Sequence, residues 1–229
     1  MNGIIVLDKP LRITSAAAVN RVKRLLGGGI KVGHAGALDP LATGILLLLI
    51  GNATKSCEAM MNQPKRYEAT IKLGASTATD DADAPETAVP GACRPSREEI
   101  ETASQKFVGT ISQRPPAFSA IKIGGRPAYK SARSGRPIDL TPRDVRVDAI
   151  AILSWSWPEL KVRIDCGRGT YIRAIARDLG EALKTGGYLA ELRRTRIGPF
   201  DISQAVSLEA LQAVGVAPHL RAVPSAANA

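Results

Sequence analysis

Metal-binding and disulfide chemistry are nearly missing from this sequence. Its three cysteines, Cys57, Cys93 and Cys166, stand far apart in a chain of 229 residues. An odd, scattered set is not a disulfide framework and suits a reducing cytoplasm. The histidines are His34 and His219, with no Cys-x-x-Cys pair and no His-rich cluster, so no zinc site is expected. No phosphate-binding loop ending in Gly-Lys-Ser/Thr and no dinucleotide fingerprint occurs. The apolar run Ile45 to Ile50 is far too short to cross a bilayer and suits a buried strand. No basic region precedes a long apolar stretch near the start, so no secretory signal is expected. Internal repeats are not apparent. These absences leave chemistry carried by side chains alone, with no cofactor.

What the sequence does hold is positive charge. Lys and Arg number 31 against 21 Asp and Glu, a formal net charge of +10. Such an excess points to a polyanionic partner, either nucleic acid or an anionic membrane surface. Hydrophobic residues make up 45%, enough for a globular chain of one large domain, with or without a small appendage. Charge is also uneven. Residues 9–31 carry six Lys/Arg and no acid, and residues 112–140 carry six against a single Asp.

Ile4 to Leu7 reads as a short buried strand. Thr14 or Ser15 can cap a helix with Ala18, Val22 and Leu25 on one face, ended by Gly27 to Gly29. Tyr67, Ala69, Ile71 and Leu73 alternate at strand period. Asp80, Asp81 and Asp83 read as a solvated, turn-rich loop without the spacing of a calcium site. Ser96 to Glu99 is a capping box opening a helix with Ile100, Ala103 and Phe107 inward. The Pro-, Gly- and Ser-rich segment 112–140 reads as a long functional loop with one short helix. Strands follow from Val145 and over Leu160 to Cys166. Thr170 is expected to cap a helix with Ile172, Ile175, Leu179 and Leu183 inward, and Tyr188 to Ile197 forms a last strand region. A short helix begins near Ser207. Runs of strands with helices between some of them argue for an α+β fold.

One stretch is unlike the rest. Residues 33–55 read Gly33-His-Ala-Gly-Ala-Leu-Asp-Pro-Leu-Ala-Thr-Gly44, the apolar run, then Gly51-Asn-Ala-Thr-Lys55. A bare Asp-Pro only starts a turn. The whole string, however, resembles the catalytic motif of the TruB family of tRNA pseudouridine synthases. Five more stretches resemble that family in its own order: Asn2 to Pro10, Lys65-Arg-Tyr67, Pro116 to Lys122, Gly169-Thr-Tyr-Ile-Arg173 and Leu192-Arg-Arg194. Together they span about residues 2–200, which is far more specific than one motif.

The resemblance implies a pseudouridine synthase fold, a central mixed, mostly antiparallel sheet flanked by helices and loops. It implies a catalytic domain over 1–200, a basic thumb-like insertion over 112–140 that grips RNA, and a short extension over 201–229. It implies isomerisation of uridine 55 in the tRNA T-loop, with base flipping and no cofactor. Asp39 is then the essential carboxylate, which attacks C1′, removes a sugar proton or stabilises sugar charge; the sequence leaves these three roles open. Arg173 is its expected partner, because a guanidinium favours an ionised carboxylate in a closed pocket. Tyr67 is expected to stack on the flipped uracil. His34, Tyr171 and Leu192 are expected around the substrate, Asp81 in a supporting role, and Lys9 and Lys55 at phosphates or in the framework. The sequence departs from the family pattern at Ala35, Asn52 and Ala84.

The expected partner is tRNA through its T-stem-loop, with no membrane, no obligatory protein partner, a monomeric state and a cytoplasmic location. Two other readings stand beside this one: a guide-RNA-dependent relative of the dyskerin type, and a non-catalytic tRNA-binding or tRNA-folding chaperone. Joint presence of Asp39, Tyr67, Tyr171 and Arg173 favours catalysis. The 35 residues after Arg194, which lack Cys, are expected to be too few for an accessory RNA-binding domain, so that recognition would concentrate on the T-arm.

Overall fold

The computed structural model describes residues 1–119, 121–123, 125–134, 138 and 140–224. Parts of the expected thumb (120, 124, 135–137 and 139) and the end of the C-terminal extension therefore lie outside the described residues. In chain order the elements are β1 (Gly3–Lys9), α1 (Ser15–Leu25), β2 (Val32–Ala35), β3 (Ala42–Ile50), α2 (Cys57–Asn62), β4 (Lys65–Leu73), β5 (Ala75–Thr77), β6 (Glu86–Ala88), α3 (Arg97–Gln105), β7 (Gly109–Gln113), β8 (Lys122–Ile123), β9 (Arg126–Pro127), α4 (Ala128–Arg133), β10 (Arg143–Ser156), β11 (Glu159–Cys166), α5 (Ile172–Ala182), β12 (Gly187–Ile197), β13 (Phe200–Asp201) and α6 (Leu208–Val214). The chain divides into two compact units, Met1–Glu68 with Leu192–Ala229, and Ala69–Glu191. The fold is α+β, with a mostly antiparallel sheet and flanking helices.

In the first unit the strand order is β1-β3-β12-β4. β1 pairs antiparallel with β3 from Gly3↔Ile50 to Lys9↔Gly44. The other edge of β3 is shared. β2 takes its C-terminal half, antiparallel, and β12 takes Ala42 to Gly44, parallel. The run Ile45 to Ile50 explains itself here. Ile45, Leu47 and Leu49 face a cluster with Ile4, Val6, Met60 and Phe200, while Leu46, Leu48 and Ile50 face Ile5, Leu7, Ala18, Val22 and Leu211. A strand covered on both faces reads as continuous rather than alternating hydrophobicity. Burial of each such side chain contributes about 1.5–3 kcal/mol. The parallel contact of β12 requires glycine at 44: its φ is +93°, and a Cβ there would sit 2.3 Å from the carbonyl oxygen of Arg194.

The segment after β13 closes the outer edge of β1. Val206 donates to Val6 O at 2.9 Å and accepts from Asp8 N at 2.9 Å; Arg221 exchanges bonds of 2.9 and 2.8 Å with Ile4. Leu208 and Leu211 of α6 pack into the core beneath. This covers an otherwise open strand edge. One expectation is corrected in α1: Ala18 and Val22 are buried, but Leu25, the last residue of the helix, is 39% exposed.

In the second unit the order is β12-β4-β11-β10-β7. β10 pairs antiparallel with β11 and with β7. Helix α3 opens on the expected capping box of Ser96 and Glu99. Helix α5 buries Ile172, Ile175 and Leu179, and its Gly180 has no room for a side chain beside the Gly186–Gly187 turn. The expected thumb holds a two-stranded β8-β9 pair followed by the short helix α4.

Candidate active site

In the first unit, Asp39 sits in the connection between β2 and β3, and fixed side chains hold this loop. Ser15, at the first position of α1, accepts from Leu38 N at 2.8 Å and donates to Leu38 O at 3.0 Å. Arg194 of β12 donates through Nη2 to Gly36 O at 2.8 Å and through Nε to Ile45 O at 2.7 Å. Its Nη1 reaches the Tyr67 hydroxyl at 3.4 Å, and its guanidinium carbon stands 5.9 Å from the centre of the Tyr67 ring. Arg194 is 1% exposed, and Tyr67 is buried as well. One buried guanidinium thus ties β3, the Asp39 loop and Tyr67 together, which its fixed fork of donors allows.

Lys9, 0% exposed, closes the same region. Its ammonium donates to Pro10 O and Ile13 O, each at 2.9 Å. Burial brings its pKa down to about 8; the charge of Asp39 opposes that shift and the charge of Arg194 adds to it. His34, on β2 opposite Leu48, has its pKa lowered first by burial and then by Arg194. Both causes favour the neutral ring. Leu192 is buried where β12 meets β3, opposite Ala42, and its carbonyl accepts from Thr43 Oγ1 at 3.4 Å.

Tyr171 and Arg173 belong to the second unit. Thr170 does not cap α5: its hydroxyl donates to Gly167 O and Arg146 O, each at 3.3 Å. Tyr171 stands at the cap position, and the missing partner is Gln113 of β7. The Gln113 amide accepts from Tyr171 N at 2.8 Å and donates to Tyr171 O at 3.1 Å. The guanidinium carbon of Arg143 lies 5.1 Å from the Tyr171 ring centre.

Arg173 is 5% exposed, buried where a first-turn arginine would ordinarily be solvated. It donates to Thr79 O and Phe118 O, each at 3.1 Å, and its Nη1 lies 3.4 Å from Asp81 Oδ2. Asp81 is 3% exposed, so the expectation of a solvated acidic loop fails at this residue. Its Oδ1 also accepts from Thr79 Oγ1 at 2.6 Å and from Asp83 N at 3.1 Å. One helical turn on, Arg177 repeats the pattern, reaching Asp80 and Arg114 O at 2.9 Å each. Burial raises the Asp80 pKa, with Arg177 opposing. Two arginines at i, i+4 thereby fasten the 80–81 loop to the 114–118 segment.

The structure brings Asp39, His34, Tyr67 and Leu192 into the first unit, around Arg194 and Lys9, and Tyr171 and Arg173 to the start of α5 in the second. Sequence reasoning gave no site role to Arg194, Ser15 or Gln113. Arg194 stood in the Leu-Arg-Arg string as a signal; Gln113, a lone polar residue, gave none. Among the described residues no group of three or more His, Cys, Asp or Glu could hold a metal ion, and no helix is long and apolar enough to cross a membrane.

Comparison with known proteins agrees with the motif order. Residues 23–172 match the family model for the TruB family pseudouridylate synthase N-terminal domain, and residues 173–222 that for the tRNA pseudouridylate synthase B C-terminal domain. The chain is 46% identical over 217 residues to tRNA pseudouridine synthase B of Xanthomonas axonopodis pv. citri (strain 306), covering 93% of this chain and 69% of that one. It is 44% identical over 211 residues to the protein of the same name from Phocaeicola vulgatus, covering 90% of each. Among solved structures, a chain of a Cbf5–Nop10–Gar1 complex matches with a TM-score of 0.71 and 30% identity. That match covers 90% of this chain, which spans 52% of the length of its counterpart. A chain of an H/ACA RNP bound to a substrate RNA containing 2′-deoxyuridine matches with a TM-score of 0.68 and 27% identity over 90% of this chain and 51% of that one. A family model matching most of the chain, together with relatives sharing nearly half its residues, identifies it: the chain belongs to the TruB family of pseudouridylate synthases.

Proposed function

We propose that this protein is a tRNA pseudouridine synthase that converts uridine 55 of the T-loop to pseudouridine. The observation that carries the reading is the fixed placement of the Asp39 loop by the buried Arg194, which also holds Tyr67. The reaction is an isomerisation. The bond from C1′ to N1 breaks, the uracil turns, C1′ bonds to C5, the C5 proton is lost and N1 gains one. No group is transferred and no redox change occurs, so side chains suffice.

Asp39 serves as the carboxylate at the sugar, by attack on C1′, by removal of a sugar proton, or by stabilising positive charge there. Arg173 orders the start of α5 in its own unit through Asp81, Thr79 O and Phe118 O. The target base leaves its stack, as enzymes acting on nucleobases require, and Tyr67 replaces the lost stacking. Leu192 and Tyr171 line the base, and His34 contacts the loop. The basic 112–140 segment grips the stem-loop. The enzyme works as a cytoplasmic monomer without an obligatory protein partner.

The test is mass spectrometry of tRNA after incubation with the purified protein. Pseudouridine should form at position 55 in unmodified tRNA and not in a tRNA carrying cytidine there. The likeness to a chain of an H/ACA RNP bound to a substrate RNA supports a second reading, dependence on a guide RNA. Turnover with tRNA and no other RNA would remove that reading; turnover only after a guide is added would replace the first.

A further inference from the structure

We propose that Ser15 is a positioning residue for this reaction, its hydroxyl fixing the peptide that carries Asp39. The proposal rests on the reading that Asp39 does the chemistry. Two hydroxyls stand at the start of α1, and they divide the work. Thr14 caps the helix, accepting from Ala17 N at 3.0 Å. Ser15 is not needed there and turns to a residue 23 positions away, taking both the N–H and the C=O of Leu38 in a buried setting. A hydroxyl both donates and accepts, so it can serve the two groups at once; alanine serves neither and leaves both without this partner.

The consequence falls on the next residue. The carbonyl of Leu38 belongs to the peptide whose nitrogen is that of Asp39, so Ser15 sets the plane of that peptide. On its far side Asp39 is followed by Pro40, whose ring confines the preceding backbone to extended conformations. The carbonyl of Pro40 is in turn held by Arg12 N at 2.8 Å, and that of Asp39 by Ala42 N at 3.1 Å. The direction in which Asp39 projects its carboxylate is therefore set from both sides, and Ser15 supplies a buried side-chain hydroxyl to that set. A misplacement of about 1 Å in a reacting group can cost on the order of a hundredfold in rate.

The experiment uses the purified full chain and unmodified tRNA, at a temperature where melting curves show every variant folded. Single-turnover rate and tRNA Kd are measured separately, since loss of positioning lowers the rate and spares binding. Ser15→Ala should lose about 10- to 100-fold in rate with Kd within about threefold. Ser15→Thr keeps the hydroxyl and should return to within about fivefold of the parent rate. Thr14→Ala breaks the cap beside it without touching Leu38, and its rate should stay within about twofold. A parent-like rate in Ser15→Ala overturns the proposal, as does an equal loss in Thr14→Ala, which would assign the effect to the helix end. Should Ser15→Ala not fold, Ser15→Cys takes its place: an intermediate rate supports the proposal and a parent-like rate overturns it. Asp39→Asn run in parallel separates the two claims. If it turns over, the reading of Asp39 fails; if it is inert while Ser15→Ala is parent-like, only the role of Ser15 fails.

Discussion

Arg194 and Gly36, 158 residues apart, are joined by a hydrogen bond of 2.8 Å from the guanidinium to the carbonyl. The bond couples the strand that carries the Leu-Arg-Arg motif to the loop that carries Asp39. Gly36 has a φ of +82°, which turns its carbonyl into reach without the strain another residue would bear. Two motifs far apart in the chain are thus one structural object.

Arg194→Lys should be a costly change despite the kept charge. A lysine ammonium cannot reproduce the fork that serves Ile45 O, Gly36 O and the Tyr67 hydroxyl. Losing buried partners of a charge should destabilise by about 3–5 kcal/mol, read from urea unfolding. Turnover should fall together with stability. A loss below about 1 kcal/mol would mean that the three contacts are not made together in solution.

Asp39→Asn keeps the shape of the side chain and removes its charge. Product should disappear while tRNA affinity stays within a few-fold, because an amide is neither nucleophile nor base. Mass spectrometry of the product and a filter-binding titration check the two halves. Turnover above a few per cent of the parent rate would take Asp39 out of the catalytic role.

Gln113 makes a two-point contact with the backbone of Tyr171, at the entry to the helix that carries Arg173. Gln113→Ala leaves the part-buried Tyr171 N–H without that partner, while Tyr171 O keeps its bond from Ile175 N, and should cost about 1 kcal/mol. Gln113→Glu keeps the acceptor for Tyr171 N but sets a carboxylate against Tyr171 O. It should therefore be no better than alanine at neutral pH. Equal stability of parent and glutamate variant in thermal melts would contradict the amide pairing.

Lys9 gives a pH signature with a defined sign. Its pKa falls from 10.5 in the ordinary state to about 8 in the fold. Between those values the unfolded chain holds more protons than the folded one, so stability rises with pH across that window. The whole shift corresponds to about 3 kcal/mol. Unfolding free energies of the parent and Lys9→Met, followed from pH 7 to 10, should therefore diverge in favour of the parent as pH rises. Parallel curves would show that Lys9 keeps an ordinary pKa.

Much of this protein was legible in the amino-acid sequence because the signals are local. The capping box at Ser96, the unbroken apolar run of β3, the alternation of Leu160 to Cys166 and the Gly-Ala-Leu-Asp-Pro string each depend on neighbours within a few residues. Composition gave the charge of the partner, and the order of six motifs gave the family. Tertiary structure decided how those motifs are held. Nothing local distinguishes Thr14, which caps its helix, from Ser15, which reaches 23 residues to Leu38. Likewise, Thr170 looked like a cap until the amide of Gln113, from another strand, took the backbone of Tyr171. From its local pattern Asp81 read as one of three solvated acids, with only the family resemblance pointing to a supporting role, and the approach of Arg173 on a distant helix made its burial tolerable. Burial of a polar group is settled by the partner that arrives from elsewhere in the chain, and spacing along the sequence carries no record of that partner.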